Sequence, residues 1–173
     1  MLRLQFDVFR DDRGYFQEVW NPARANIPGM KKDFVQDNIA FSHYRVLRGL
    51  HYQQPFEQAK LIVVLSGSIF DVAVDVRRDS PTFGPWLGTQ LTAGSGDALY
   101  IPEGFAHGYQ VLSPSAHVVY KCTDVYHPEA EHSFAWNDPA VGIRWPIADP
   151  ILSEKDRGAG RLEDDVRRSL MTS

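Results

Sequence analysis

The side chains best equipped for chemistry in this 173-residue chain are six histidines, seven tyrosines and a single cysteine. An imidazole takes up and returns protons near neutral pH. His51 stands three residues beyond Arg48, whose planar guanidinium suits paired hydrogen bonds to a diphosphate. Tyr120 and Tyr126 are six residues apart, so both would face one side of a regular strand, where aromatics are usually core. Lys60 opens the apolar run Leu61 to Leu65, where a surface lysine would be ordinary. Ser153 can cap a helical turn that contains Asp156, and a carboxylate is favourable at that end of a helix. Cys122 alone forms neither an internal disulfide nor a thiolate zinc cluster. No Walker A loop, dinucleotide glycine fingerprint, Gly-x-Ser-x-Gly elbow or His-Glu-x-x-His pair occurs. Nucleotide hydrolysis, hydride transfer and serine hydrolysis therefore lack their usual signatures.

The elements that must position these groups read as short strands. Leu2, Leu4, Phe6 and Val8 alternate with Arg3, Gln5 and Asp7, the period of a half-buried strand. A turn at Asp11-Asp12-Arg13-Gly14 leads to a second strand, Tyr15 to Trp20. Asn21 to Lys32 holds two prolines and a glycine and allows only a short helix. Phe34 to Phe41 reads as a strand, and Leu61 to Leu65 pairs with Ile69 to Val76 as a hairpin across Ser66-Gly67-Ser68. Trp86 to Leu91, Ala98 to Ile101, Gly108 to Leu112 and His117 to Tyr126 continue the series, with turn residues between them. A final helix is expected from Leu162 to Leu170. Regular short strands of this kind make a sandwich, jelly roll or barrel. The reading is one all-β domain over residues 1–173 with a small C-terminal helical segment.

Composition narrows the partners. Lys plus Arg is 18 against 22 for Asp plus Glu, a net charge of -4, so no broad basic face for nucleic acid is expected. An anionic ligand would need a local cluster of cations. The longest apolar run falls far short of the roughly 20 residues of a membrane span. The N-terminus has no apolar signal core. A reducing cytoplasm is the simplest compartment.

Gly96, Pro102, Gly104 and His107 stand at the spacing of the second sequence motif of the cupin superfamily, and the resemblance implies a jelly-roll barrel. In the first cupin motif two histidines and a glutamate bind metal. Here His51 and Glu57 fit that spacing, but Gln53 occupies the second histidine position. Amide oxygens are weak substitutes for imidazole at a transition metal, so no metal is expected. A longer match is Phe34 to Gln53 (FVQDNIAFSHYRVLRGLHYQ), which resembles the dTDP-4-dehydrorhamnose 3,5-epimerase family. The likeness extends in order through Asp12 to Glu18, Gln58-Ala59-Lys60, Phe70 to Asp75, Tyr100 to Gly108, Tyr120 to Thr123 and Leu152 to Asp156.

The resemblance implies inversion at C3 and C5 of a 4-keto-6-deoxy sugar carried on dTDP. Both carbons flank the ketone, so loss of either proton gives an enolate. That reaction needs a base on one face, an acid on the other, and a cation near the ketone oxygen. By its match to the family, His51 is the base, Asp156 its partner, Tyr120 the acid and Lys60 the enolate-stabilising cation. The same match places Arg13, Phe16, Glu18, Gln36, Asp37, Asn38, Arg48, His107, Tyr126, Glu131 and Lys155 around nucleotide and sugar, with Phe16 stacking on thymine. It further implies a homodimer whose N-terminal segments reach the neighbouring site. The alternatives are a 3-epimerase or 5-epimerase acting at one carbon, a metal-dependent cupin enzyme, and a sugar-nucleotide-binding cupin without turnover.

Overall fold

A computed structural model describes residues 1–25, 27–31 and 33–169. Twelve strands are present among them: β1 Leu2–Gln5, β2 Val8–Asp11, β3 Gly14–Gln17, β4 Gln36–His43, β5 Leu47–Gln53, β6 Lys60–Ser66, β7 Ser68–Asp75, β8 Trp86–Thr92, β9 Asp97–Ile101, β10 Phe105–Val111, β11 Ser115–Cys122 and β12 Glu131–Ser133. Two short helices follow, α1 Glu154–Arg157 and α2 Leu162–Ser169. Leu170, the expected end of the last helix, lies outside the described residues. No described helix is long and apolar enough to cross a membrane.

Two five-stranded antiparallel sheets face each other, in the orders β1-β9-β6-β11-β4 and β12-β5-β10-β7-β8, while β2 and β3 form a separate hairpin. Most successive strands from β4 to β11 change sheets, which is the jelly-roll arrangement of the cupins. This overturns the expected hairpin between β6 and β7. They lie in different sheets, joined by an arch at Gly67. Gly67 has φ +77, and a Cβ there would lie 2.1 Å from the Ser115 carbonyl oxygen. Only glycine fits so tight a crossing. The turn signal was read correctly and its geometry was not, because a hairpin and an arch use the same residues.

One core lies between the sheets, built from residues such as Ile62, Leu99, Tyr109 and Val118. A second lies outside β5, β7 and β10, where Val72, Val74 and Leu50 meet Phe134 and Trp145 from the C-terminal segment. A third covers the outer face of β6 and β9 with Met30 and Trp20 from the connection before β4. β7 is therefore buried on both faces. Its alternation is real, but the polar positions Asp71 and Asp75 are buried as well.

Other boundaries moved. The first strand stops at Gln5, and Val8 begins the β2–β3 hairpin, which ends at Gln17 rather than Trp20. β5 was absent from the sequence reading because Arg48 and His51 interrupt its apolar pattern. β11 ends at Cys122, so Tyr126 is not on the strand of Tyr120. Thr123 instead donates its amide to the Ala59 carbonyl, and Tyr126 donates its amide to Gln36 Oε1.

Candidate active site

The site is built where the two sheets open. β5 supplies His51 and Arg48, and its neighbour β10 supplies His107, directly opposite His51 in register. Gly49 and Gly108 bring these strands together, since a Cβ on Gly49 would sit 2.6 Å from the Gly108 Cα. From the facing sheet come Lys60 on β6 and Tyr120 on β11. These groups line a cavity of about 340 Å³. An adjoining lobe of about 310 Å³ shares His51, Lys60 and Tyr120 and adds Gln36, Asn38, Tyr126 and Glu131.

His51 Nε2 lies 2.6 Å from Asp156 Oδ1. Asp156 is held by its place in α1: Ser153 caps the helix and accepts the Asp156 amide at 3.1 Å. Burial pushes the Asp156 carboxyl upward, but hydrogen bonds from His51, Ser153 and the Gly49 amide outweigh it and hold it below the usual range. The carboxylate acceptor places the imidazole hydrogen on Nε2, leaving Nδ1 as the basic nitrogen. This is the orienting role an aspartate plays in other histidine dyads. Burial, then neighbouring Cys122 and Tyr109, push the Tyr120 phenol upward. It therefore stays protonated at neutral pH and has a proton to give.

Burial pushes the Lys60 ammonium downward, opposed by Cys122, Glu131 and Asp71. It lines both cavity lobes and has no hydrogen bond or ion pair among the described residues. An ammonium without a protein partner, walled by low-dielectric surroundings, is poised for an oxygen that develops negative charge. Arg48 is braced by Ser42 Oγ at 3.0 Å and the Phe41 carbonyl at 3.2 Å. Glu131 Oε2 accepts from Lys155 Nζ and Tyr126 Oη, each at 2.5 Å. Those bonds overcome the upward push of burial and keep the carboxyl low.

Not every expected residue converges here. Gln36 and Asn38 line the second lobe and share a 3.0 Å hydrogen bond, whereas Asp37 between them faces the other side of β4 and pairs with Lys121 at 2.6 Å. Arg13 sits in the β2–β3 turn, bound to Asp11, and Phe16 is exposed beside Phe9. Glu18 holds Asn21 and Arg24. None of these three lines either lobe within the chain. Conversely, Tyr109 lines the cavity and Asp71 lies buried behind it, 2.9 Å from His107 Nε2; neither is among the residues expected from the sequence. An acid centred in the apolar alternation of β7 was the available signal for Asp71.

The donors do not fit a cupin metal centre. Gln53 Oε1 accepts the His127 amide, and its Nε2 is engaged by the Phe56 and Val125 carbonyls. Glu57 borders a different cleft, and no described cluster of three or more His, Cys, Asp or Glu is arranged to hold a metal ion.

A jelly roll whose two sheets hold an Asp-braced histidine, a protonated tyrosine and an unpartnered lysine around one cavity defines a cupin-type enzyme suited to proton transfer. The sequence profile of dTDP-4-dehydrorhamnose 3,5-epimerase matches residues 1–164. A protein of that name from Neisseria gonorrhoeae is 51% identical over 97% of this chain, which spans about half (51%) of that relative's length. The structure of a dTDP-6-deoxy-D-glucose-3,5-epimerase from Legionella pneumophila, in complex with dTDP-4-keto-L-rhamnose, superposes with a TM-score of 0.89. It is 46% identical, over 93% of this chain and 87% of that one. A 3'-monoepimerase from Streptomyces bikiniensis in complex with dTDP-quinovose gives 0.88 at 36% identity, over 96% and 85% of the two chains. The chain belongs to the dTDP-4-dehydrorhamnose 3,5-epimerase family and is an isomerase, a carbohydrate epimerase.

Proposed function

We propose that this protein inverts C3 and C5 of dTDP-4-dehydro-6-deoxy-D-glucose, giving dTDP-4-dehydro-L-rhamnose, without metal or organic cofactor. The observation that carries the reading is the placement of His51 and Tyr120 on facing sheets, with Lys60 lining the same cavity. His51 Nδ1 removes the proton beside the ketone while Asp156 stabilises the resulting imidazolium. Lys60 holds the enolate oxygen. Tyr120 returns a proton from the opposite face. Arg48 provides a cation for the diphosphate, and Gln36, Asn38, Tyr126, Glu131 and Lys155 hold the nucleotide and sugar. Arg13, Phe16 and Glu18 serve the site of a second copy in a homodimer, a role that suits their distance from this chain's own cavity.

Incubation of the purified protein with the 4-keto sugar nucleotide in heavy water tests the reading. Deuterium should appear at C3 and C5 with inversion at both, and absence of exchange at either carbon overturns it. Exchange confined to C3 supports the second reading, a 3-epimerase, which the similarity to the Streptomyces bikiniensis enzyme favours. Exhaustive chelation is expected to leave turnover unchanged.

A further inference from the structure

The barrel interior contains a second histidine–carboxylate pair that the mechanism above does not use. His107 Nε2 lies 2.9 Å from Asp71 Oδ2, and the Asp71 side chain is 0% exposed. A carboxylate that deep is costly unless both oxygens are satisfied. Yet Asp71 Oδ1 has no hydrogen-bond partner, alone among the buried side-chain atoms of the described residues. An apolar residue in its place would continue the pattern of β7 at no such cost. The geometry around it is specific. Asp71 sits opposite Tyr109 in the β7–β10 register, while His107 is the direct cross-strand partner of His51. The two imidazoles therefore stand side by side, each tied back by an aspartate from a different element. With Nε2 on the carboxylate, His107 Nδ1 is left to the cavity. Across that cavity is Lys60, which has no hydrogen bond or ion pair among the described residues.

We propose that Asp71 is a positioning residue of the epimerase site. One oxygen fixes the His107 ring beside His51, and the other keeps a negative charge in range of the Lys60 ammonium. The inference rests on the epimerase reading above. Its consequence is that Lys60 remains cationic until the enolate oxygen arrives. The other titratable or charged groups around Lys60 are Cys122 and Tyr120 on β11, Glu131 on β12, Arg48 and His51 on β5, His107 and Tyr109 on β10, Asp156 on α1, and Tyr126. Of the anions, Glu131 already carries Lys155 and Tyr126, and Asp156 carries His51. Asp71 is the anion with an uncommitted oxygen.

The test is Asp71→Asn, which keeps shape and volume and removes the charge. kcat and KM are measured with the 4-keto sugar nucleotide from about pH 6 to 10, a range that spans histidine and lysine titration. In D71N the alkaline fall in kcat should begin about one pH unit lower than in wild type. kcat at neutral pH should drop about 10²-fold through loss of alignment, while dTDP affinity by calorimetry stays the same. A merely structural Asp71 would lower stability and leave the alkaline limb where it was; that result overturns the proposal. If D71N does not bind dTDP, Asp71→Ser, which leaves room for a water on His107, carries the same measurement. If wild type itself shows no solvent exchange, the epimerase reading fails on its own. The charge of Lys60 is then followed by the NMR shift of its ε-methylene, and an identical titration in wild type and D71N again overturns the inference.

Discussion

The division of labour between His51 and Tyr120 makes their removal distinguishable. His51→Ala should abolish solvent exchange and epimerisation together, because no enolate forms. Tyr120→Phe retains the ring and its packing but loses the hydroxyl. The enolate still forms there, and His51 can return the proton to its original face. Deuterium should then enter with retention, while inversion falls ~10²–10⁴-fold, the usual contribution of a general acid. Normal inversion in Y120F, read by NMR, would pass the acid role to Tyr126 or a water. Arg48 bears on binding instead. Arg48→Ala should weaken dTDP affinity by ~1.5–3 kcal/mol, the worth of a hydrogen bond to a charged group; unchanged calorimetry would remove Arg48 from the phosphate site. His51, Arg48, Lys60, His107 and Tyr120, which the structure gathers around one cavity, were legible in the sequence because they sit in ordered motifs. Asp71 lies in such a motif too, but its bond to His107 depends on which way one strand's polar face turns.

At the scale of elements, alternation and turn residues were enough to find most strands and to call the chain all-β. They could not say which sheet each strand joins. Ser66-Gly67-Ser68 shows why: a hairpin and an inter-sheet arch both need a residue with positive φ, and only the contacts beyond the turn distinguish them. At Gly67 those contacts are decisive. A methyl group there would meet the Ser115 carbonyl oxygen at 2.1 Å, on a backbone with φ +77. Gly67→Ala should therefore destabilise the fold by about 2 kcal/mol or more, since the left-handed conformation alone costs ~1–2 kcal/mol and the β10–β11 connection must also shift. The urea midpoint reports this. A shift below ~0.5 kcal/mol would mean that the arch relaxes freely. The cap on α1 and the start of α2 at Leu162 agree with the sequence to the residue; the cap does so because Ser153 and Asp156 satisfy a local rule that needs no tertiary partner.

For the molecule as a whole, the site is maintained at the expense of the fold, and Lys60 is where this is measurable. Its ammonium lies half-buried between the sheets with no ion pair among the described residues, and desolvation pushes it below the ordinary lysine value. Between its lowered folded value and the unfolded lysine value near ~10.4, the unfolded chain binds the extra proton. Stability contributed by this group therefore rises with pH across that window, and at neutral pH the charged lysine is a net cost. Lys60→Met keeps an unbranched chain of similar length and removes the charge. It should abolish turnover yet raise stability at pH 7 by ~0.5–2 kcal/mol, the size of gain found when a functional compromise is relieved. The second readout is sharper. The difference in urea midpoint between K60M and wild type should shrink as pH rises toward the lysine range, because wild type sheds the proton that destabilises it. Asp71 offsets this cost only in part, so a K60M protein less stable than wild type at neutral pH would show that the ammonium costs the resting fold nothing. A constant difference across pH would show that the gain came from packing alone.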